Sequence, residues 1–399
     1  MFGSDFKSMS VSKQIESHNA TGIYLHVPFC ASTCDFCAFY QKQPRRSDLE
    51  AYLNGIEAEL KLLNCKEPVS TVFWGGGTPG LLPAKDLERL AGYLHAHLNL
   101  DDLCEWTVEM APSTVKMDKL KVLAAAGVTR ISMGVQSFQP ELLDQLGRLH
   151  QPNQIYQAYD HLQAIAAFQL NLDLIFAIPG QTESFWVQDM NLATAMRPDH
   201  LSTYCLTFEE DTALWLKLSK GQLRRDEELE SRLYEKTWEY LAGKGYQHYE
   251  VSNFCQPECE CKHNVNTWEM QSWIGLGPSA SSQYRGKRFT HVHEMNTWLK
   301  GVHQGSPVYQ ESVVLDDLLL ATDALVFGLR MNRGVCLDTL KTRYPSVELS
   351  RLDPLWAEMR AHALLVESGA RLQLSDKGRL LADWVGSQII ERMEYSSKK

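Results

Sequence analysis

Apolar runs and amphipathic stretches alternate regularly along the first half of the chain. Six runs rich in β-branched and other apolar residues have the length of strands, and they span about residues 22–206. They read GIYLHV, STVFWGG, EWTVEM, TRISMGV, NLDLIFAI and HLSTYCL. Between them lie helical patterns such as SDLEAYLNGIEAELKLL and AKDLERLAGYLHAHL. Repeated strand–helix–strand units predict an α/β fold with parallel pairing and right-handed crossovers, either an open doubly wound sheet or an incomplete barrel.

The pattern changes after about residue 310, where helical stretches and a short paired-strand signal follow one another. This pattern predicts a smaller, mainly helical C-terminal domain of winged-helix character. We therefore expect four parts along the chain. They are a flexible N-terminal arm at 1–20, an α/β core at 21–210, an extension at 211–305 that completes the core and covers the site, and the C-terminal domain at 306–399.

Composition and charge exclude several classes of protein. Of the 399 residues, 44% are hydrophobic and 22% are charged, which is typical of a folded chain. The net charge of -10 argues against a nucleic-acid-binding surface, so no nucleic-acid partner is expected. No stretch approaches the length of a membrane span, and the polar N-terminus lacks the apolar core of a signal peptide. These features predict a cytoplasmic location and leave open a peripheral contact with a membrane surface.

Six of the ten cysteines form two groups. Cys30, Cys34 and Cys37 lie in CASTCDFC directly after the first predicted strand, and a second group lies in FCQPECECKHN. In a reducing compartment, clustered cysteines are more often metal ligands than disulfides. Structural zinc sites close with four ligands, whereas three thiolates on a four-iron cluster leave one iron open. The spacing of the first group therefore favours an iron–sulfur cluster over a zinc site, and a disulfide is the least favoured interpretation.

Polar and glycine residues recur at the ends of the other predicted strands. GGGTP follows the second strand, Glu109 and Gln136 lie at the ends of the third and fourth, and Asp173 falls within the fifth. The carboxyl ends of parallel strands meet at one edge of a sheet or barrel, where ligands bind. A single site assembled from several loops is therefore predicted.

Taken together, these motifs resemble those of a known superfamily. CASTCDFC resembles the CxxxCxxC signature of the radical S-adenosylmethionine (SAM) superfamily, and GGGTP resembles its glycine-rich loop. YLHVPFCASTCDFCAF, WGGGTP, RISMGVQSF, LDLIFAIPGQT and HYEVSNF resemble the oxygen-independent coproporphyrinogen III oxidase branch, and within it the HemW-type heme chaperones most. The resemblance implies a partial (β/α)6 radical SAM barrel with a winged-helix-like C-terminal domain.

The resemblance also implies roles for individual residues. Cys30, Cys34 and Cys37 would hold a [4Fe–4S] cluster. SAM would bind the open iron and contact a further set of residues. One of them, Phe36, is equally well explained as an aromatic side chain that packs in the loop. That set is Tyr24, Phe36, Gly76, Gly77, Thr78, Glu109, Gln136, Arg148 and Asp173.

The second cysteine group lies in a segment that resembles the family's SNF…C-x-H-N pattern. Cys255 and Cys259 are additional to that pattern and could bind zinc or a second cluster with His263, although a loop with exposed thiols is the simpler interpretation. His263 is a weak candidate for a heme ligand. Thr267 stands where the family usually has tyrosine, which puts a detailed porphyrin contact in doubt.

Three functions are compatible with the resemblance. They are a heme chaperone that carries heme as cargo to apo-haemoproteins, a coproporphyrinogen III dehydrogenase, and another radical SAM enzyme that modifies heme. The dehydrogenases carry a further cysteine two residues after the third ligand, where this chain has Phe39. Phe39 therefore favours the chaperone, and no residue is assigned as a general acid or base. A reductant such as flavodoxin or ferredoxin is the further partner that the resemblance implies.

Overall fold

The computed structural model describes residues 21–394, so the predicted arm at 1–20 lies outside the described residues. Over these described residues, fifteen strands form two sheets. The strands are β1 Thr21–Val27, β2 Val69–Gly76, β3 Glu105–Met110, β4 Arg130–Gln136, β5 Gln169–Phe176, β6 His200–Cys205, β7 Gln247–Glu250, β8 Asn253–Cys255, β9 Ser272–Leu276, β10 Ser281–Tyr284, β11 Lys287–His291, β12 Tyr309–Val314, β13 Val335–Cys336, β14 Leu365–Ser368 and β15 Arg371–Leu374.

Helices connect the strands, and the first six strands with their helices follow the predicted alternation. The helices are α1 Arg46–Leu63, α2 Ala84–His97, α3 Met117–Ala125, α4 Pro140–Gln145, α5 Pro152–Ile165, α6 Glu183–Ala195, α7 Ala213–Ser219, α8 Glu227–Gly243, α9 Lys262–Trp268, α10 Met295–His303, α11 Asp317–Arg330, α12 Leu337–Arg343, α13 Asp353–Ala361, α14 Asp376–Leu380 and α15 Ala382–Glu394.

The large sheet contains the six-strand core of the fold. Its order is β12-β11-β10-β9-β1-β2-β3-β4-β5-β6-β8-β7, with β1 to β6 parallel in chain order. Within the described residues β1 and β6 do not pair with each other, because β1 continues to the parallel β9 and β6 to the antiparallel β8. The predicted partial (β/α)6 barrel is therefore confirmed, and short strands extend it on both sides.

The alternation of side chains along the parallel strands explains both the core and an internal cavity. In β3, Trp106 and Val108 are buried in the hydrophobic core, whereas Thr107 and Glu109 line the cavity. Successive side chains of a strand point to opposite faces, so one face of the sheet packs under the helices while the other encloses polar groups. The residues that line the cavity therefore lie on the polar inner face of the sheet.

A second hydrophobic cluster belongs to the C-terminal part of the chain. It includes residues from Ala321 to Met393, on helices α11, α12, α13 and α15 and the small sheet β13-β15-β14. The mainly helical C-terminal domain is thus confirmed. The large sheet itself continues past residue 306, because β12 pairs with β11 as far as Val314.

Candidate functional site

The predicted site residues meet around one cavity. It has a volume of about 750 Å³, opens at the carboxyl ends of the parallel strands and reaches inward along their inner faces. Eight predicted residues line it, namely Phe36, Cys37, Gly77, Thr78, Glu109, Gln136, Arg148 and Asp173. The other four, Tyr24, Cys30, Cys34 and Gly76, contact or adjoin residues of the lining. A cavity of this volume suits one ligand of cofactor size.

The loop with the first cysteine group is held by backbone hydrogen bonds. Cys30 N donates to Lys42 O at 3.1 Å, and Cys37 N donates to Cys34 O at 3.2 Å. All three thiols are half-buried and unpaired by disulfides. Burial raises the pKa of the Cys30 and Cys37 thiols. Partly buried thiols that are gathered on one loop beside a cavity fit the donor set of an iron–sulfur cluster.

The glycine-rich loop after β2 lies against the start of the cysteine loop. Gly77 N donates to Val27 O at 2.9 Å, and Thr78 N donates to Phe29 O at 2.8 Å. The Thr78 hydroxyl lies 3.6 Å from Cys30 Sγ. The two loops are thus fixed to each other, and together they form one wall of the cavity.

Two carboxyl groups line the same cavity, and that of Glu109 lies beside the glycine-rich loop, since a Cβ added to Gly75 would be 3.1 Å from it. Burial, and the charge of Asp173 beside it, raise the pKa of Glu109 to about 8. Burial also raises the pKa of Asp173, although Ser132 Oγ and Asn171 Nδ2 donate to its carboxylate at 3.0 and 2.8 Å. Desolvated carboxylates of this kind are stabilised by a ligand that supplies hydroxyl or ammonium donors. The amino acid and ribose groups of SAM carry such donors.

Phe36 and Phe39, which flank Cys37, differ in their surroundings. Phe36 packs against an apolar cluster that includes Leu146 and Leu214, as the packing interpretation expects, and it also lines the cavity. Its contact with SAM stays a prediction. Phe39 is 66% exposed at the mouth of the cavity. No thiol is present at position 39, so the cluster loop carries three cysteines.

The interpretation of the second cysteine group as exposed thiols is wrong for Cys255, whereas Cys259 is half-buried. Cys255 and Cys261 are buried, because the loop folds under the inner end of the barrel. There Glu105 accepts hydrogen bonds from the backbone of Lys262 and His263, each at 3.0 Å. Within residues 21–394, no three His, Cys, Asp or Glu side chains are arranged to hold a single metal ion.

His263 lies in the floor of the barrel rather than at its surface. Its imidazole Nδ1 is 2.9 Å from the Thr71 hydroxyl, and its ring packs on Phe73 with the centroids 5.3 Å apart. Burial lowers its pKa to about 4. Ligation of heme by His263, which stays a prediction, would require α9 to move away from β2.

Sequence reasoning missed a set of polar residues on the inner face of β4, β5 and β6. His200 Nδ1 is 2.6 Å from Asn171 Oδ1, and Arg130 Nε donates to Glu105 at 3.2 Å. The signal was present, because polar residues alternate with apolar ones within predicted strands. The missed residues that line the cavity are Arg130, Ser132, Asn171, His200 and Ser202.

Comparison with known proteins identifies the fold. A family model described as the radical SAM superfamily matches residues 24–193, and one described as the HemN C-terminal domain matches residues 316–381. The structure of coproporphyrinogen III oxidase (HemN) from Escherichia coli has the same fold, with a TM-score of 0.80 at 22% identity over 94% of this chain and 91% of that one. The fold and the site therefore define a radical SAM protein.

Proteins described as heme chaperone HemW are similar to this chain over most of its length. The Lactococcus lactis protein is 32% identical over 370 residues, which cover 92% of this chain and 96% of that protein. The protein of Mycobacterium tuberculosis strain H37Rv is 33% identical over 371 residues, or 91% and 93% of the two chains. The chain belongs to the HemW heme chaperone family, as its motifs predicted. Within residues 21–394, every helix falls short of the length or apolarity needed to cross a membrane.

Proposed function

We propose that this protein is a heme chaperone that binds heme and passes it to apo-haemoproteins, and that it carries a [4Fe–4S] cluster and SAM. The observation that carries the proposal is the identity of 32% to a heme chaperone across 92% of the chain. The exposed side chain of Phe39, where the dehydrogenases keep a cysteine, supports it further.

The residues present fit the two cofactors. Cys30, Cys34 and Cys37 would hold the cluster, and the backbone of the glycine-rich loop would receive the amino acid end of SAM. When bound, the cluster supplies an electron to SAM. Glu109 and Asp173 would accept hydrogen bonds from the cofactor and thereby offset the cost of their own burial.

The proposal extends to the cellular setting. Ten unpaired cysteines suit a reducing compartment such as the cytoplasm. A small electron-transfer protein would reduce the cluster, and apo-haemoproteins would receive the heme.

The main competing function, oxidation of coproporphyrinogen III, is tested by turnover. Anaerobically reconstituted protein with reductant and SAM is expected to leave coproporphyrinogen III unconverted, because the loop has Phe39 in place of the further cysteine. Product is measured as protoporphyrin fluorescence after oxidation. An oxygen-independent coproporphyrinogen III oxidase in the same buffer serves as the positive control, and robust conversion by this protein would overturn the chaperone assignment.

A further inference from the structure

Arg148 connects the cysteine loop with the cavity. Its Nη1 donates to Cys34 Sγ at 3.4 Å, and its Nη2 donates to Gly134 O at 2.9 Å. Its Nε is buried and has no hydrogen-bond partner among the described residues. The guanidinium also lines the cavity. The guanidinium of Arg148 thus contacts the Cys34 thiol, and its Nε–H remains available as a hydrogen-bond donor beside the cavity.

The approach of Arg148 to this thiol is built into the fold. Asp35, which follows Cys34, donates its backbone N–H to Leu146 O at 3.0 Å. Gly147 has a φ of +66°, which L side chains rarely adopt, and a Cβ added to it would lie 3.1 Å from the backbone nitrogen of Asp35. A side chain at this position would push the two segments apart. Arg148 is therefore held against the cysteine loop by its neighbours and not by its own flexible side chain.

We propose that Arg148 is a positioning residue that sets the reduction potential of the cluster and couples that potential to the binding of SAM. The inference rests on the proposed function, which places the cluster on Cys34. Hydrogen bonds to cluster sulfurs are among the features that tune such potentials. A cationic donor stabilises the more negative, reduced cluster more than the oxidised one, so it raises the potential.

The coupling follows from the geometry of the guanidinium. Its unpartnered Nε can donate to a carboxylate while Nη1 stays on Cys34. A bound carboxylate would draw positive charge away from the thiolate. By linkage, a change of potential on SAM binding requires an equal change of SAM affinity on reduction.

Redox titration of reconstituted protein, followed by the paramagnetic resonance of the reduced cluster, tests this inference. The variants are Arg148→Met, Arg148→Lys and, as a matched control, Lys217→Met. Lys217 is a suitable control because it is also a cation at the cysteine loop. Its Nζ lies 2.9 Å from the carboxylate of Asp35, so it is paired with that carboxylate and not with a thiol.

In Arg148→Met, reduction is expected to become about tenfold less favourable, which is the size expected of one lost charge-assisted hydrogen bond, and for a one-electron couple a factor of ten is about 59 mV. Arg148→Lys should show a smaller shift of the reduction potential in the same direction. The ammonium group keeps the positive charge but loses the planar guanidinium, which can donate to two acceptors at once. Lys217→Met should match the wild type. Addition of SAM should shift the wild-type potential more than that of Arg148→Met.

Equal potentials in the wild type and in Arg148→Met would overturn the inference. So would a loss of cluster from Arg148→Met together with a wild-type potential in Arg148→Lys, since Arg148 would then act only on assembly. Loss of cluster from Arg148→Met with a lowered potential in Arg148→Lys supports it. A wild-type protein that takes up no iron and sulfide contradicts the proposed function itself, whereas a wild-type cluster that is insensitive to Arg148 contradicts this inference alone.

Discussion

Glu109→Gln is expected to make the cofactor-free protein more stable at alkaline pH while it weakens SAM binding. The carboxyl is half-buried in the wall of the cavity, and this burial together with the charge of Asp173 raises its pKa to about 8. A raised carboxyl pKa means that the folded protein keeps a proton which the unfolded chain has already released. The stability associated with the neutral carboxyl is therefore complete below the ordinary pKa of glutamate, and it is lost as the pH rises to about 8.

Glutamine cannot ionise, so the variant avoids this loss. At pH 9 its free energy of unfolding should exceed that of the wild type by up to about 4 kcal/mol, whereas at pH 5 the difference should be small. SAM affinity, measured calorimetrically at pH 9 where the carboxylate is ionised, should fall at least about tenfold, because a charged acceptor is lost.

The matched control is Glu228→Gln, since the side chain of Glu228 is 92% exposed. It should change the free energy of unfolding by less than about 0.5 kcal/mol at either pH. Denaturant unfolding at both pH values measures the difference. If Glu109→Gln gains no stability between pH 5 and pH 9, the carboxyl is not desolvated in the way described.

Gly77→Ala should destabilise the protein by about 1–3 kcal/mol and prevent SAM binding. A Cβ at this position would lie 2.7 Å from the carbonyl oxygens of both Phe29 and Val27. These are backbone atoms, and they accept the hydrogen bonds that join the glycine-rich loop to the cysteine loop. The clash therefore cannot be relieved by the movement of one flexible side chain.

Gly92→Ala provides the comparison for this substitution. Gly92 lies within α2, and a Cβ there would meet no atom within 4 Å. Alanine should stabilise the helix by about 0.5–1 kcal/mol. Urea unfolding measures both variants. Opposite signs are expected, and a neutral or stabilising effect of Gly77→Ala would show that the two loops are not in close contact.

Much of the fold could be predicted because its strongest signals are local. The six core strands are marked by short apolar runs, and their observed bounds lie within two residues of the predicted ones. The strands that extend the sheet, such as β9, are short and pair with partners far away in the chain. No local pattern reports such pairing, so these strands were not predicted.

The site divides in the same way. Cysteine spacing and the glycine-rich loop are visible as motifs, and the structure gathers them as expected. The burial of Cys255 was mispredicted, because it depends on the pairing of β8 with β6, in which Cys255 lies opposite His200. Arg148 was expected to contact SAM alone. Its contact with Cys34 could not be predicted, because it depends on the packing of the loop at Leu146 against the cysteine loop.

Transfer of heme tests the central claim most directly. Protein loaded with one equivalent of hemin is mixed with an excess of apo-haemoprotein, and the Soret spectrum of the recipient is followed with time. A chaperone is expected to show a saturable hemin-dependent Soret shift and then transfer whose rate rises with recipient concentration. No Soret shift, or release at a rate independent of the recipient and equal to passive loss into a heme scavenger, would contradict the account.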